Sequence, residues 1–157
     1  MLKAPPSTAT RSEKEAYVKS LAAITISIFA LLLAVNGMMG GSNSSKVLNN
    51  TIQANNLWAW YQAKNVRAVI YETAGKEDKA AEQRKDMEEI QQKAKAVEAL
   101  RDEAKAKSPW FSYAGMALQL SIVLSSAAIL AVMAGMVYAS AAVGAAGLSL
   151  MIYAMVL

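Results

Sequence analysis

The sequence predicts an all-α membrane protein with three transmembrane helices and a long antiparallel helical hairpin between the first and the second. Three observations carry this. Residues 21–40 and 108–157 contain no Lys, Arg, Asp or Glu. The intervening segment is rich in Ala, Glu, Lys and Gln, all strong helix formers. A composition of 55% hydrophobic and 18% charged residues over 157 residues is too apolar for a soluble domain of this size.

Residues 1–20 read as a polar arm leading into a helix start. Pro5 and Pro6 keep the first residues extended, and Ser12-Glu13-Lys14-Glu15 has the form of a capping box with Ser12 as N-cap. Residues 21–40 form the first span, about 30 Å of helix, enough to cross a hydrocarbon core. A cleavable leader is the rival reading of this stretch, because basic residues precede it and small ones follow. The long polar lead, with Glu13 and Glu15 in it, favours an uncleaved span.

Residues 41–108 form the extramembrane hairpin. Gly40-Gly41-Ser42-Asn43-Ser44-Ser45 is turn chemistry, after which one helix should run over 46–74 and stop at Gly75. A second follows over 76–107. It shows a heptad-like, coiled-coil type of spacing at Ala80, Gln83, Met87, Ile90, Ala94, Val97, Arg101 and Ala104. The first helix offers Val47, Thr51, Ala54, Trp58, Tyr61, Asn65 and Ala68 in return, aromatic knobs against alanines.

Ser108-Pro109 reads as a new helix start, Ser as N-cap and Pro at the first helical position. Residues 109–157 are then transmembrane helices two and three, with a turn near 134–140. Trp110, Phe111 and Tyr113 fall where an aromatic belt at the membrane interface belongs.

The absences narrow the chemistry. The chain has no cysteine and no histidine. That removes Cys or His nucleophiles, Ser-His-Asp triads, imidazole proton shuttles and the usual zinc and haem ligands. No catalytic, cofactor-binding or metal-binding residue is expected, and no cofactor. Basic residues are interleaved with acidic ones throughout, which is not a nucleic-acid footprint.

What remains are packing residues. Asn36 and Gln119 are the strongly polar side chains inside the spans and are expected at similar depth, able to hydrogen-bond across helices. Ala127, Ala131 and Gly135 in the second span, and Ser140 and Gly144 in the third, recur at four-residue spacing and make surfaces for close helix association. Trp58, Tyr61 and Asn65 mark the hairpin core and an oligomer seam.

With these residues in view, the chain resembles an uncharacterised bacterial membrane-protein family, the domain of unknown function numbered forty-three thirty-seven. The resemblance rests on the apolar first span, on Trp58-Ala59-Trp60-Tyr61-Gln62-Ala63-Lys64-Asn65-Val66-Arg67, and on Ala117-Leu118-Gln119-Leu120-Ser121-Ile122-Val123-Leu124-Ser125-Ser126. It implies the same architecture and a bacterial inner-membrane location but brings no activity. Family members often carry basic residues between the last two spans, where this chain has Tyr138-Ala139-Ser140.

The function expected is a non-enzymatic structural or assembly protein, oligomer-forming or an accessory subunit of a larger membrane complex. Its partners would be membrane lipids and either copies of itself or other membrane subunits. A small oligomeric channel or transporter component is the alternative. Lys3, Arg11, Lys14 and Lys19 ahead of the first span favour a cytoplasmic N-terminus.

Overall fold

The computed structural model describes residues 10–157. Among these the chain is helical and forms three helices, α1 (Arg11–Thr73), α2 (Glu77–Ala131) and α3 (Ala134–Val156). Each is long and apolar enough to cross a membrane. The polar arm expected over the first nine residues lies outside the described residues.

Helix α1 opens one cap earlier than expected. Thr10, not Ser12, is the N-cap: its hydroxyl accepts the Glu13 N–H at 3.3 Å, and the Glu13 carboxylate accepts the Thr10 N–H at 2.8 Å. Thr10-Arg11-Ser12-Glu13 has the same Ser/Thr-x-x-Glu form as the box at Ser12, and both arms of its reciprocal bond are made.

Two expected boundaries are absent. Helix α1 passes through Gly40-Gly41-Ser42-Asn43-Ser44-Ser45 without a break, and α2 passes through Ser108-Pro109. Glycine inside a helix costs only about 1 kcal/mol, less than tertiary contacts return. Asn43, predicted in a turn, is instead buried and donates its side-chain amide to the Ala104 carbonyl at 2.8 Å. Pro109 deprives α2 of one backbone N–H, and the helix continues past it.

The chain divides into two compact units. The second, Ser42–Ala106, is the predicted antiparallel hairpin. Gly75 stops its first helix in a left-handed conformation, φ +68°. Around it Lys76 N–H bonds the Tyr71 carbonyl at 2.8 Å and Gly75 N–H bonds Glu72 at 3.0 Å, the crossed pair of a Schellman motif. The second helix buries Ala80, Met87, Ile90, Ala94 and Ala104, all members of the predicted seam. On the first, Ala54 and Ala68 are buried and Trp58 and Tyr61 half-buried.

The other unit holds residues 10–41 together with Lys107–Leu157. Here α2 and α3 are antiparallel, and their connection is Val132-Met133, not the 134–140 region; Gly135 and Tyr138-Ala139-Ser140 lie inside α3. Val132 adopts φ 51°, a conformation that strains a β-branched residue. Met133 N–H closes the turn on the Ala128 carbonyl at 3.2 Å, the same long bond as at Gly75. The Val132 side chain packs against a core cluster of Val18, Ala22, Ala128 and Val137, which offsets the strain.

The Glu13 carboxyl lies ahead of the apolar stretch of α1. The Thr10 N–H, and after it the Thr10 hydroxyl, hold it below the usual glutamate range. Because its folded pKa is depressed, its contribution to the helix start is complete above the ordinary glutamate pKa and vanishes as pH falls through the lowered value. A carboxyl NMR titration should place Glu13 below the ordinary range, with Thr10→Val moving it part of the way back. Titration of Glu13 within that range would contradict the cap.

Candidate functional site

Among the described residues no group of three or more His, Cys, Asp or Glu converges as a metal site. The informative sites are where helices meet.

In the first unit, three serines form the polar centre. Ser121, Ser125 and Ser140 are fully buried. Ser140 Oγ donates to the Ser121 carbonyl at 2.8 Å, and Ser121 Oγ donates to the Ser140 carbonyl at 2.8 Å. With those protons committed, Ser125 Oγ is left to donate to Ser140 Oγ at 2.6 Å. Each hydroxyl has an acceptor, so the clasp buries three polar groups without leaving a donor unmet. Ser121 and Ser125 are four residues apart on the uncharged stretch of α2, one face by helical geometry; that spacing is the signal by which sequence could have found the contact.

Glycines allow the helices to approach beside this clasp. The Phe29 ring of α1 occupies the space a Cβ on Gly144 would need, so any side chain there collides with the ring. At Gly147 an added Cβ would lie 3.1 Å from both Ala117 and Leu118 and 3.2 Å from the Ala114 carbonyl. Sequence reasoning found Gly144 and Ser140 but not Gly147. Of the other small residues, Ala127 is half-buried, while Ala131 and Gly135 are exposed, and a Cβ added at Gly135 would meet nothing within 4 Å.

Asn36 is buried, as its polar character inside an apolar stretch suggests, but its partner is not Gln119. Its side-chain amide donates to the Phe111 carbonyl at 3.0 Å, about two turns from Gln119, which is exposed. Gly115 is buried beside it; a Cβ there would stand 3.2 Å from Asn36 Nδ2. Helix composition does not reveal register, and register decides which carbonyl the amide meets.

The three aromatic residues placed at a membrane interface separate. Phe111 is buried, Tyr113 exposed, and Trp110 half-buried with its ring edge-on to Tyr113 at 6.0 Å and to Tyr153 of α3 at 4.8 Å. At the far end of the unit, the Tyr17 and Tyr138 hydroxyls are 3.1 Å apart.

In the hairpin unit, Trp58 and Tyr61 pack edge to face at 5.5 Å, and Trp58 Nε1 donates to Glu98 at 3.1 Å. Asn65, expected on this seam, is exposed; the facing position belongs to Lys64, whose side chain is 14% exposed and bonds Asp86 at 2.6 Å. Spacing alone could not separate positions 64 and 65, since both lie within a turn of Tyr61. Arg84 with Glu72 makes a second cross-helix ion pair nearer the turn.

The fold and these contacts define an all-helical protein with three helices long and apolar enough to span a membrane and a helical hairpin built into two of them. A family model described as "Domain of unknown function (DUF4337)" matches residues 18–81 and 73–157. The chain belongs to that family. No curated protein and no solved structure matches the chain significantly.

The Gly144 contact gives a direct check on this packing. Gly144→Ala should destabilise the protein by about 1–3 kcal/mol through overpacking against Phe29. The Phe29→Ala Gly144→Ala double variant should lose less than the sum of the single changes, a coupling readable in detergent unfolding. Additive losses would contradict the contact.

Proposed function

We propose that this protein is a non-enzymatic membrane assembly protein: a three-helix anchor that presents the hairpin as a contact surface, acting as an oligomer-forming protein or an accessory subunit. The anchor would be the unit containing the uncharged stretches. Its outward side carries Ile24, Ile28, Leu31, Met116, Leu120 and Ile152, all about half exposed or more, a surface suited to lipid rather than water. Arg11, Lys14 and Lys19 precede the first span, which favours a cytoplasmic N-terminus; the setting proposed is a bacterial inner membrane, as the family resemblance implies.

The observation that carries the assembly reading is an asymmetry in the hairpin. Its second helix is densely charged on the outside, as a solvated helix should be. The first carries no charge between Lys46 and Lys64, yet Leu48, Ile52 and Trp60 stand about half exposed there, followed by Val66, Val69 and Ile70. Of these, Leu48, Ile52, Val66 and Ile70 share one face of the helix, and an exposed apolar face on a largely polar unit marks a surface made to be covered. A channel would need polar side chains converging on a wet path. The serine clasp is instead closed on itself, and Asn36 and Gln119 are apart within one copy.

Gentle extraction from native membranes followed by native mass spectrometry tests this reading. The chain should emerge in a complex of fixed stoichiometry, with itself or with other polypeptides. A monomer carrying only lipid would overturn it.

A further inference from the structure

We infer that the uncovered face of α1 in the hairpin pairs with the same face of a second copy, the two helices running parallel. The inference rests on the assembly reading and names the partner that reading leaves open.

The face is defined by spacing. Leu48, Ile52, Asn55, Ala59, Val66 and Ile70 are all exposed and all lie within about half a turn of one line along the helix. That line is opposite the side that buries Ala54 and Ala68. The hairpin therefore uses one side of this helix internally and leaves a second apolar stripe outside. Leu48, Ala59 and Ile70 repeat at an interval of eleven residues, close to three turns, so the stripe stays on one face without strong supercoiling.

Three features select a second copy. Copies inserted alike in one membrane carry α1 in the same direction, so a pair related by a twofold axis sets each residue against its own counterpart. Such self-pairing is disfavoured by charge, and this stripe has none. The outer face of the second hairpin helix, with Glu82, Glu88, Glu89 and Lys93, would set like charges together. Next, Asn55 and Gln62 are the polar residues on an otherwise apolar stripe, and an Asn facing its own copy is a known way to fix the register of parallel helices by side-chain hydrogen bonding. Finally, the half-exposed aliphatic residues of two such stripes amount to an area on the order of 1,000 Å², where specific interfaces begin.

The absence of native cysteine makes the test clean. Single Leu48→Cys, Ala59→Cys and Ile70→Cys variants of the full chain would be oxidised mildly in native membranes, with Glu88→Cys as the outward control. The expected result is a disulfide-linked dimer for each of the first three and none for the control. Mixing Leu48→Cys with Ile70→Cys chains should add no crosslink between positions 48 and 70; such a crosslink without 48–48 and 70–70 would mean antiparallel pairing and overturn the inference. No like-with-like crosslink at any of the three positions, or capture of a different polypeptide at Ala59→Cys, would also overturn it. Native mass separates the two readings: a complex without these crosslinks removes only the second-copy stripe, whereas a monomer removes the assembly reading with it. Ile52→Glu should lower the dimer fraction at least tenfold in the same membranes, and an unchanged fraction counts against the stripe.

Discussion

Ser140 lies between Ser121 and Ser125 with no exposed surface, and the three hydroxyls satisfy one another and two backbone carbonyls. The antiparallel register of α2 and α3 depends on this clasp. A slip of one residue along either helix would turn a hydroxyl out of the group and leave another buried without a partner, at a cost of about 1–3 kcal/mol. Gly147 next to Ala114 and Leu118, and Gly144 beneath the Phe29 ring, permit the short approach the clasp requires. In a bilayer, apolar packing alone would not specify which helix faces which, since lipid is as apolar as leucine. Side-chain shape and a few buried hydrogen bonds must do so. Asn36, reaching from α1 to the Phe111 carbonyl, adds the third helix by the same means.

The hairpin solves a different problem with different residues. Its seam is thin in large aliphatics, with alanines at 54, 68, 80, 94 and 104, so helix approach rather than apolar volume holds it. The larger side chains are amphipathic. Trp58 packs its ring on Tyr61 and directs its N–H to Glu98, and Lys64 lays its stem across the seam to reach Asp86. In such contacts a charged head can remain partly exposed while its stem packs on the seam. The two units thus divide the chain's polar vocabulary: serine and asparagine where no charge occurs, ion pairs where charges are abundant.

Much of this was legible in the sequence, and the failures have physical reasons. The charge gaps located the apolar segments. Gly75 marked the hairpin turn because glycine alone takes a left-handed conformation freely. The heptad series found the buried face of the second hairpin helix. The expected breaks at Gly40-Gly41 and at Ser108-Pro109 did not occur, because local propensity is worth about 1–3 kcal/mol and long helices gain more from what they pack against. The turn between α2 and α3 was misplaced because Val132 fills a position where glycine is usual. Gln119 was wrongly matched with Asn36 because composition reports which helices are polar, not their register. Asn65 and Lys64 changed places for a similar reason: a shift of one position in helical phase separates a seam residue from a surface one.

The anchor reading depends on where lipid begins along helices that continue without a break. Leu31, Leu120, Ile152 and Leu100 are comparably exposed on the folded chain, at 67%, 51%, 51% and 56%, so protein packing alone cannot make them differ in reactivity. Cysteines at these four positions, one at a time, should be treated in permeabilised native membranes with a membrane-impermeant thiol reagent. The account predicts rapid labelling at 100 and protection at 31, 120 and 152. Equal labelling at all four would show that the uncharged stretches lie in water and would contradict the anchor.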